Sequence, residues 1–217
     1  MEEIINTYLL DDLETVIPMD RGDFYKEQVE AFEKTGKPTR ANEVVAIFIF
    51  NLRQEMLVQK RSYDKKHNPG LLDKSIGGHV RYGDGIDYTV MVETVQELQT
   101  PSIVLKNETD FVKTRKLLDD YLTTIAIIKH TKSKFYIFKK LFDDKIVEIA
   151  NKMHVYFGIY GGSIRPADKE AQGVIFYTLP ELEKEMKKFP KTFTNDMHVL
   201  VKELKSPMKV FLKSQAK

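Results

Sequence analysis

The 217-residue chain has no cysteine, which excludes disulfides, thiolate nucleophiles and cysteine-ligated zinc and fits a reducing compartment. It also lacks any apolar run near the roughly 18 residues of a membrane-spanning helix, and its opening MEEIINTYLLDDLE is acidic. An excess of one charge is missing too. Lysine and arginine number 34 against 32 aspartate and glutamate, a net charge of +2, so neither a nucleic-acid backbone nor an anionic membrane is indicated as a bulk partner. No aromatic RNA-binding signature is present. The five histidines form no H-x-x-x-H pair, so a histidine metal site is not expected. These absences leave a cytoplasmic protein with one core of ordinary size.

What is present centres on residues 77–98, GGHVRYGDGIDYTVMVETVQEL. A glycine-rich turn leads into a helix on which Glu93 and Glu97, one turn apart, face the same way. Two aligned carboxylates suit a divalent cation, although the spacing alone more often marks a solvated surface helix. Tyr88, Met91, Val92, Val95 and Leu98 follow helical spacing and predict the buried stripe of that helix. Upstream, Arg61, Lys65, Lys66, His67 and Lys74 crowd a loop broken by Asn68-Pro69-Gly70. Cations beside an acidic helix edge are what a metal-bound diphosphate needs. By composition, the same loop reads as a solvated basic surface.

Around this centre, residues 1–39 read as an N-terminal arm and a short helix over 23–34, 40–205 as the main domain, and 206–217 as a tail. The arm would pack on the domain or on a partner chain, which is compatible with a homodimer. VVAIFIF (44–50) lacks polar alternation and predicts a central strand buried on both faces, forming a hairpin with EMLVQKR (55–61). A helix is expected over 110–122, then strands over 123–130, 134–145 and 152–164, and an amphipathic helix that stops before Pro207. FLKSQAK at the end reads as frayed. Residues alone imply mixed α/β.

The spacing from Gly78 to Asp84 and on to Val92-Glu93-Thr94-Val95-Gln96-Glu97 resembles the box of the Nudix family, G-x5-E-x7-R-E-U-x-E-E-x-G-U. Val92 stands for the arginine, Thr94 for an apolar residue, Gln96 for a glutamate and Gln99-Thr100 for the closing glycine and apolar residue. QKRSYDKKHNPGLLDKSIGGHV and RPADKEAQGVIFYTLPELEKEMKKFPKTFT further resemble the branch that includes isopentenyl-diphosphate isomerases and related hydrolases. In the isomerases a cysteine precedes the box glycine. Here that residue is Gly77, which argues for a hydrolase of the same branch.

The resemblance implies an α/β/α sandwich with a mixed central sheet. It implies Mg²⁺ or Mn²⁺ held by Glu93, Glu97 and the Gly77 carbonyl, with Gly78 at the substrate. Arg61, Lys65 and Lys74 would bind the phosphates of a small-molecule diphosphate, with Glu170 as base or outer-shell residue. Val92 and Gln96 motivate the other reading, a Nudix-fold module that binds a nucleotide or protein without turnover.

Overall fold

The computed structural model describes residues 3–164 and 171–215. In chain order the elements are β1 (Ile4–Leu9), β2 (Asp12–Asp20), α1 (Arg21–Thr35), β3 (Arg40–Phe50), β4 (Met56–Arg61), β5 (Leu72–Asp73), β6 (Ile76–His79) and α2 (Ile86–Leu98). There follow β7 (Ser102–Leu105), α3 (Glu108–Leu117), β8 (Ala126–Phe142), β9 (Lys145–Ile159), β10 (Ala171–Tyr177), α4 (Leu179–Lys188) and α5 (Asn195–Gln215). No described helix is long and apolar enough to cross a membrane.

The apolar run in β3 does make a doubly buried strand, with every residue from Ala41 to Phe50 buried. One edge of β3 pairs in parallel with β9 from Ala41↔Ala150 to Phe50↔Ile159. The other pairs antiparallel with β6, Val44↔His79 to Ile47↔Ile76. The hairpin expected between β3 and β4 therefore shrinks to one pair, Phe50↔Met56, because β6 occupies the edge of β3 that β4 would have taken. β4 bonds instead to β10 and β5. The main path of the mixed sheet runs β10-β4-β3-β9-β8-β7, and helices cover both faces. Phe48, Phe50 and Phe157 meet α5 residues Leu204 and Phe211 on one side, while Val45, Ile47 and Tyr156 meet α2 residues Val90 and Leu98 on the other. This is a mixed sheet between two layers of helices, the α/β/α sandwich that the resemblance implies.

The N-terminal segment packs on the domain itself: β1 pairs with both β2 and β3, and α1 packs Phe24 against Val147 and Ile149 of β9. That helix starts two residues earlier than expected, capped by Asp20, whose carboxylate accepts from the amides of Gly22 and Asp23. The strands expected over 123–130 and 134–145 are one strand, β8, bent at a register shift between His130 and Lys132.

The C-terminal helix does not stop at Pro207 but continues to Gln215. Proline removes one backbone hydrogen bond. Burial of Met208, Phe211 and Leu212 outweighs that loss, since each large apolar side chain removed from water contributes about 1.5–3 kcal/mol.

The helical period of α2 is as expected, but its phase is not. Tyr88, Met91 and Val95 are exposed, and Thr89, Val90, Thr94, Glu97 and Leu98 are buried. The buried hydroxyls bond within the helix, Thr89 Oγ1 to Gly85 O and Thr94 Oγ1 to Val90 O, so polar side chains occupy the inner face without stranding donors.

Candidate active site

β6 and α2 lie against each other, and Gly78 of β6 makes this possible, while Gly77 makes room for the Lys74 stem. A Cβ at Gly78 would stand 2.0 Å from Glu93 Oε1, and one at Gly77 would stand 2.7 Å from Lys74 Cε. Only a residue without a side chain lets the Glu93 carboxylate rest on the strand. Val80 N donates to Glu43 O, and β3 and β6 pair Val45 with Gly78 and Ala46 with Gly77. Antiparallel pairs alternate between bonded and unbonded, so Gly77 falls at an unbonded pair and its amide and carbonyl point away from β3. The Gly77 amide accordingly approaches Glu97 Oε1 at 3.5 Å.

Glu97 is buried, and its Oε2 accepts a 2.7 Å hydrogen bond from Gln59 Nε2 on β4. Glu93 instead lines a cleft of about 180 Å³. Gln96, Gly77, Gly78, Arg61, Lys65 and Lys74 line the same cleft, so the sequence motif and the basic loop do meet. At the end of α2, Gln99 adopts a left-handed conformation with φ 53° at the position of the family's glycine.

The basic loop is not the solvated surface that its composition suggests. Lys74 is buried, with Nζ 3.4 Å from Asp73 Oδ1 and 3.7 Å from Asp196 Oδ2. The Arg61 guanidinium bonds Asp73 Oδ2 at 3.2 Å and the carbonyls of His67 and Asn68 at 3.0 and 3.2 Å. Asp73 also accepts from Thr194 Oγ1 at 3.0 Å. Burial alone would raise the Asp73 pKa, but Lys74 and Arg61 outweigh it and hold the carboxyl well below its usual range. Lys74 is pulled down by burial, yet Asp73 and Asp196 leave it raised. Arg61 and Lys74, both expected at phosphate, are therefore neutralised within the protein.

Other cations enter from outside the motif: Lys140 of β8, Arg81 after β6 and Arg21 of α1 line the cleft. Arg21 bonds Glu3 at 2.7 Å. Tyr25 of α1 bonds His79 Nε2 through its hydroxyl at 3.0 Å and packs against His67. Burial and then nearby cations, Lys140 and Arg61 at His67 and Arg21 and Lys140 at His79, push both imidazoles well below their usual pKa, so they are neutral. A second cavity of about 720 Å³ adjoins the cleft and shares Arg21, Tyr25, Arg61, Lys65 and His67 with it. The signal for Lys140 is in the sequence: Tyr136, Phe138 and Lys140 alternate on the inward face of β8. Glu170 lies outside the described residues.

For a divalent cation the candidate donors are oxygens: the Glu93 carboxylate and the Gln96 amide on the cleft wall, the outward Gly77 carbonyl, and behind them the buried Glu97 carboxylate, which Gln59 already bonds. Among the described residues no group of three or more acidic, histidine or cysteine side chains is arranged to hold a metal. An all-oxygen set with two carboxylates fits one hard ion such as Mg²⁺, which keeps several of its own waters.

The NUDIX domain family model matches residues 40–197. An isopentenyl-diphosphate Delta-isomerase of Serratia proteamaculans (strain 568) is 25% identical over 159 residues, covering 73% of this chain and 74% of that protein. The solved structure of a NUDIX-family hydrolase from Clostridium perfringens is 15% identical, with a TM-score of 0.43, covering 75% of this chain and 94% of that one. The solved structure of a protein from Deinococcus radiodurans is 16% identical, with a TM-score of 0.49, covering 75% of this chain and 82% of that one. With the family match spanning most of the chain, and the glycine turn and glutamate helix packed together inside it, this protein belongs to the Nudix family.

Proposed function

We propose that this Nudix protein hydrolyses the diphosphate linkage of a nucleoside diphosphate derivative or another organic diphosphate, with Mg²⁺ or Mn²⁺ as cofactor. The observation that carries the reading is the packing of Glu93 on Gly78 at the mouth of a cation-lined cleft. Glu93, Glu97 and the Gly77 carbonyl would hold the ion. When bound, it polarises a phosphoryl oxygen and lowers the pKa of water. The protein's own contribution is placement. Gln59 fixes the Glu97 carboxylate, Gly78 lets Glu93 approach, and Lys65 and Lys140 offer positive charge to the phosphates. Arg61 and Lys74 hold β5 and the start of α5 together through Asp73 and Asp196. In the reaction an oxygen of water bonds to phosphorus, the bridging P–O bond breaks with its electron pair leaving on the departing phosphate, and the water proton passes to a base. The family resemblance nominates Glu170 for that role.

Gly77, in place of the isomerase cysteine, favours hydrolysis over alkene isomerisation. The test is a panel of organic diphosphates with Mg²⁺ or Mn²⁺, scored by released phosphate or nucleoside monophosphate. Turnover of at least one member, abolished by Glu97→Gln, supports the proposal. Absence of turnover across the panel together with absence of metal binding overturns it. The second reading, a binding module without turnover, is favoured by the neutral Gln96 on the cleft wall. It predicts nucleotide stabilisation in a thermal-shift assay that needs no divalent metal and survives Glu97→Gln.

A further inference from the structure

Two lysines of the cleft, Lys74 and Lys140, are almost wholly withdrawn from solvent, at 9% and 7% exposure. They are treated oppositely. Lys74 lies between two carboxylates. Lys140, among the described residues, has neither a hydrogen-bond partner nor a carboxylate within salt-bridge distance, and its ammonium is 5.7 Å from the centroid of the Tyr25 ring. The ammonium of Lys140 has no carboxylate to hold it, and the neutral imidazoles of His67 and His79 beside it supply no counter-charge. The stem of Lys140 continues the inward row of Tyr136 and Phe138, and its head opens into the cleft.

Beyond Tyr25 lies the larger cavity, walled by Tyr25 and Val29 of α1 and by Phe142 two residues after Lys140. Lys26 and Lys66 also line it, balanced by the carboxylates of Glu3, Asp20, Glu30 and Asp64, so the chamber carries no net positive field of its own and the phosphate end belongs at Lys140. Its α1 wall belongs to the chain before residue 40, outside the family match at 40–197. An anion-seeking ammonium at the neck of a partly apolar chamber is a site for a molecule that carries phosphate at one end and an uncharged ring or chain at the other.

We infer that Lys140 anchors the phosphate end of the ligand and that α1, with Val29 and Phe142, forms the compartment for its organic end, so that the N-terminal segment selects the substrate. As a statement of substrate class this rests on the hydrolase reading; as a binding site it stands separately.

Calorimetric titration without divalent metal tests it, with inorganic pyrophosphate, ADP and an alkyl diphosphate as probes. Wild-type protein binds pyrophosphate and at least one organic diphosphate. Lys140→Met weakens every observed binding at least tenfold while the thermal midpoint of the unliganded protein stays within a degree or two of wild type, and Lys140→Arg, which keeps the charge, retains pyrophosphate binding, a rescue that a merely structural lysine would not give. Val29→Phe and Val29→Trp fill the chamber and weaken the organic diphosphate at least tenfold while leaving pyrophosphate unchanged. Unchanged pyrophosphate affinity in Lys140→Met, or equal losses for pyrophosphate and organic ligands in both Val29 variants, overturns the inference. If ligand binding follows this pattern but no diphosphate is turned over with Mg²⁺ or Mn²⁺, the hydrolase reading fails and the binding site remains.

Discussion

The Glu93 carboxylate rests on the backbone of Gly78 so closely that a methyl group there would lie 2.0 Å from Oε1. The strand and the helix of the site are therefore fitted to each other through one missing side chain. Gly78→Ala should push Glu93 out of place and lower metal-dependent turnover by about 10²-fold, the scale on which small misplacements act. Circular dichroism should stay native, and steady-state kinetics with Mg²⁺ reads the loss.

Gln96 sits on the cleft wall one residue before Glu97. Gln96→Glu adds a third carboxylate, and metal affinity should rise on the order of tenfold because ligand charge tunes the affinity of oxygen sites. Titration with Mn²⁺, followed by electron paramagnetic resonance, checks this. Glu97→Gln should move affinity the other way.

Asp73 joins Arg61, Lys74 and Thr194. Asp73→Asn leaves two buried cations with less negative charge and should cost about 3–5 kcal/mol of unfolding free energy, the range for breaking buried pairs. Urea denaturation measures it.

Stability should fall with acid in two stages. His67 and His79 have folded pKa values well below the usual one, so the unfolded chain takes up their protons first and stability declines below about pH 6.5. Asp73 and Glu43 have depressed values: burial would raise them, but Lys74 and Arg61 at Asp73, and hydrogen bonds from His154, Asn6 and Tyr8 at Glu43, prevail. Their contribution is complete above the unfolded carboxylate range near pH 4 and drains away as pH falls through it. Urea midpoints from pH 8 to pH 3 should show both declines, with His67→Gln flattening the upper one and Asp73→Asn the lower.

Phe211 lies beyond Pro207 yet meets the rings of Phe50, Phe111 and Phe157 at 5.7, 5.3 and 5.5 Å between centroids. Phe211→Ala should cost about 3–5 kcal/mol, as large-to-small core changes do. A frayed tail would give no measurable change.

What the sequence revealed and what it concealed follow from the range of the interactions. Spacing within a few residues was legible: the Gly78–Glu93–Glu97 pattern, the buried run of β3 and the helical period of α2. The phase of α2 was not, because Thr89 and Thr94 hide their hydroxyls on their own backbone and Glu97 finds Gln59 from another strand. Lys74 and Arg61 read as solvated because their partner Asp73 gains its meaning only when Thr194 and Asp196 arrive from the far end of the chain. Lys140 was concealed in a run of alternating aromatics and lysines whose inward side only the sheet reveals. Pro207 reads as a stop because its local cost is visible and the packing of Phe211 is not.

The parallel pairing of β3 with β9 has a consequence for how the protein is made. Ala41 meets Ala150 and Phe50 meets Ile159, so the first long strand waits for partners more than a hundred residues later. Such distant pairing slows folding. A ribosome will have made most of the chain before the central sheet can close, and until then β3 has only β1 and β6 beside it and lacks its long parallel partner.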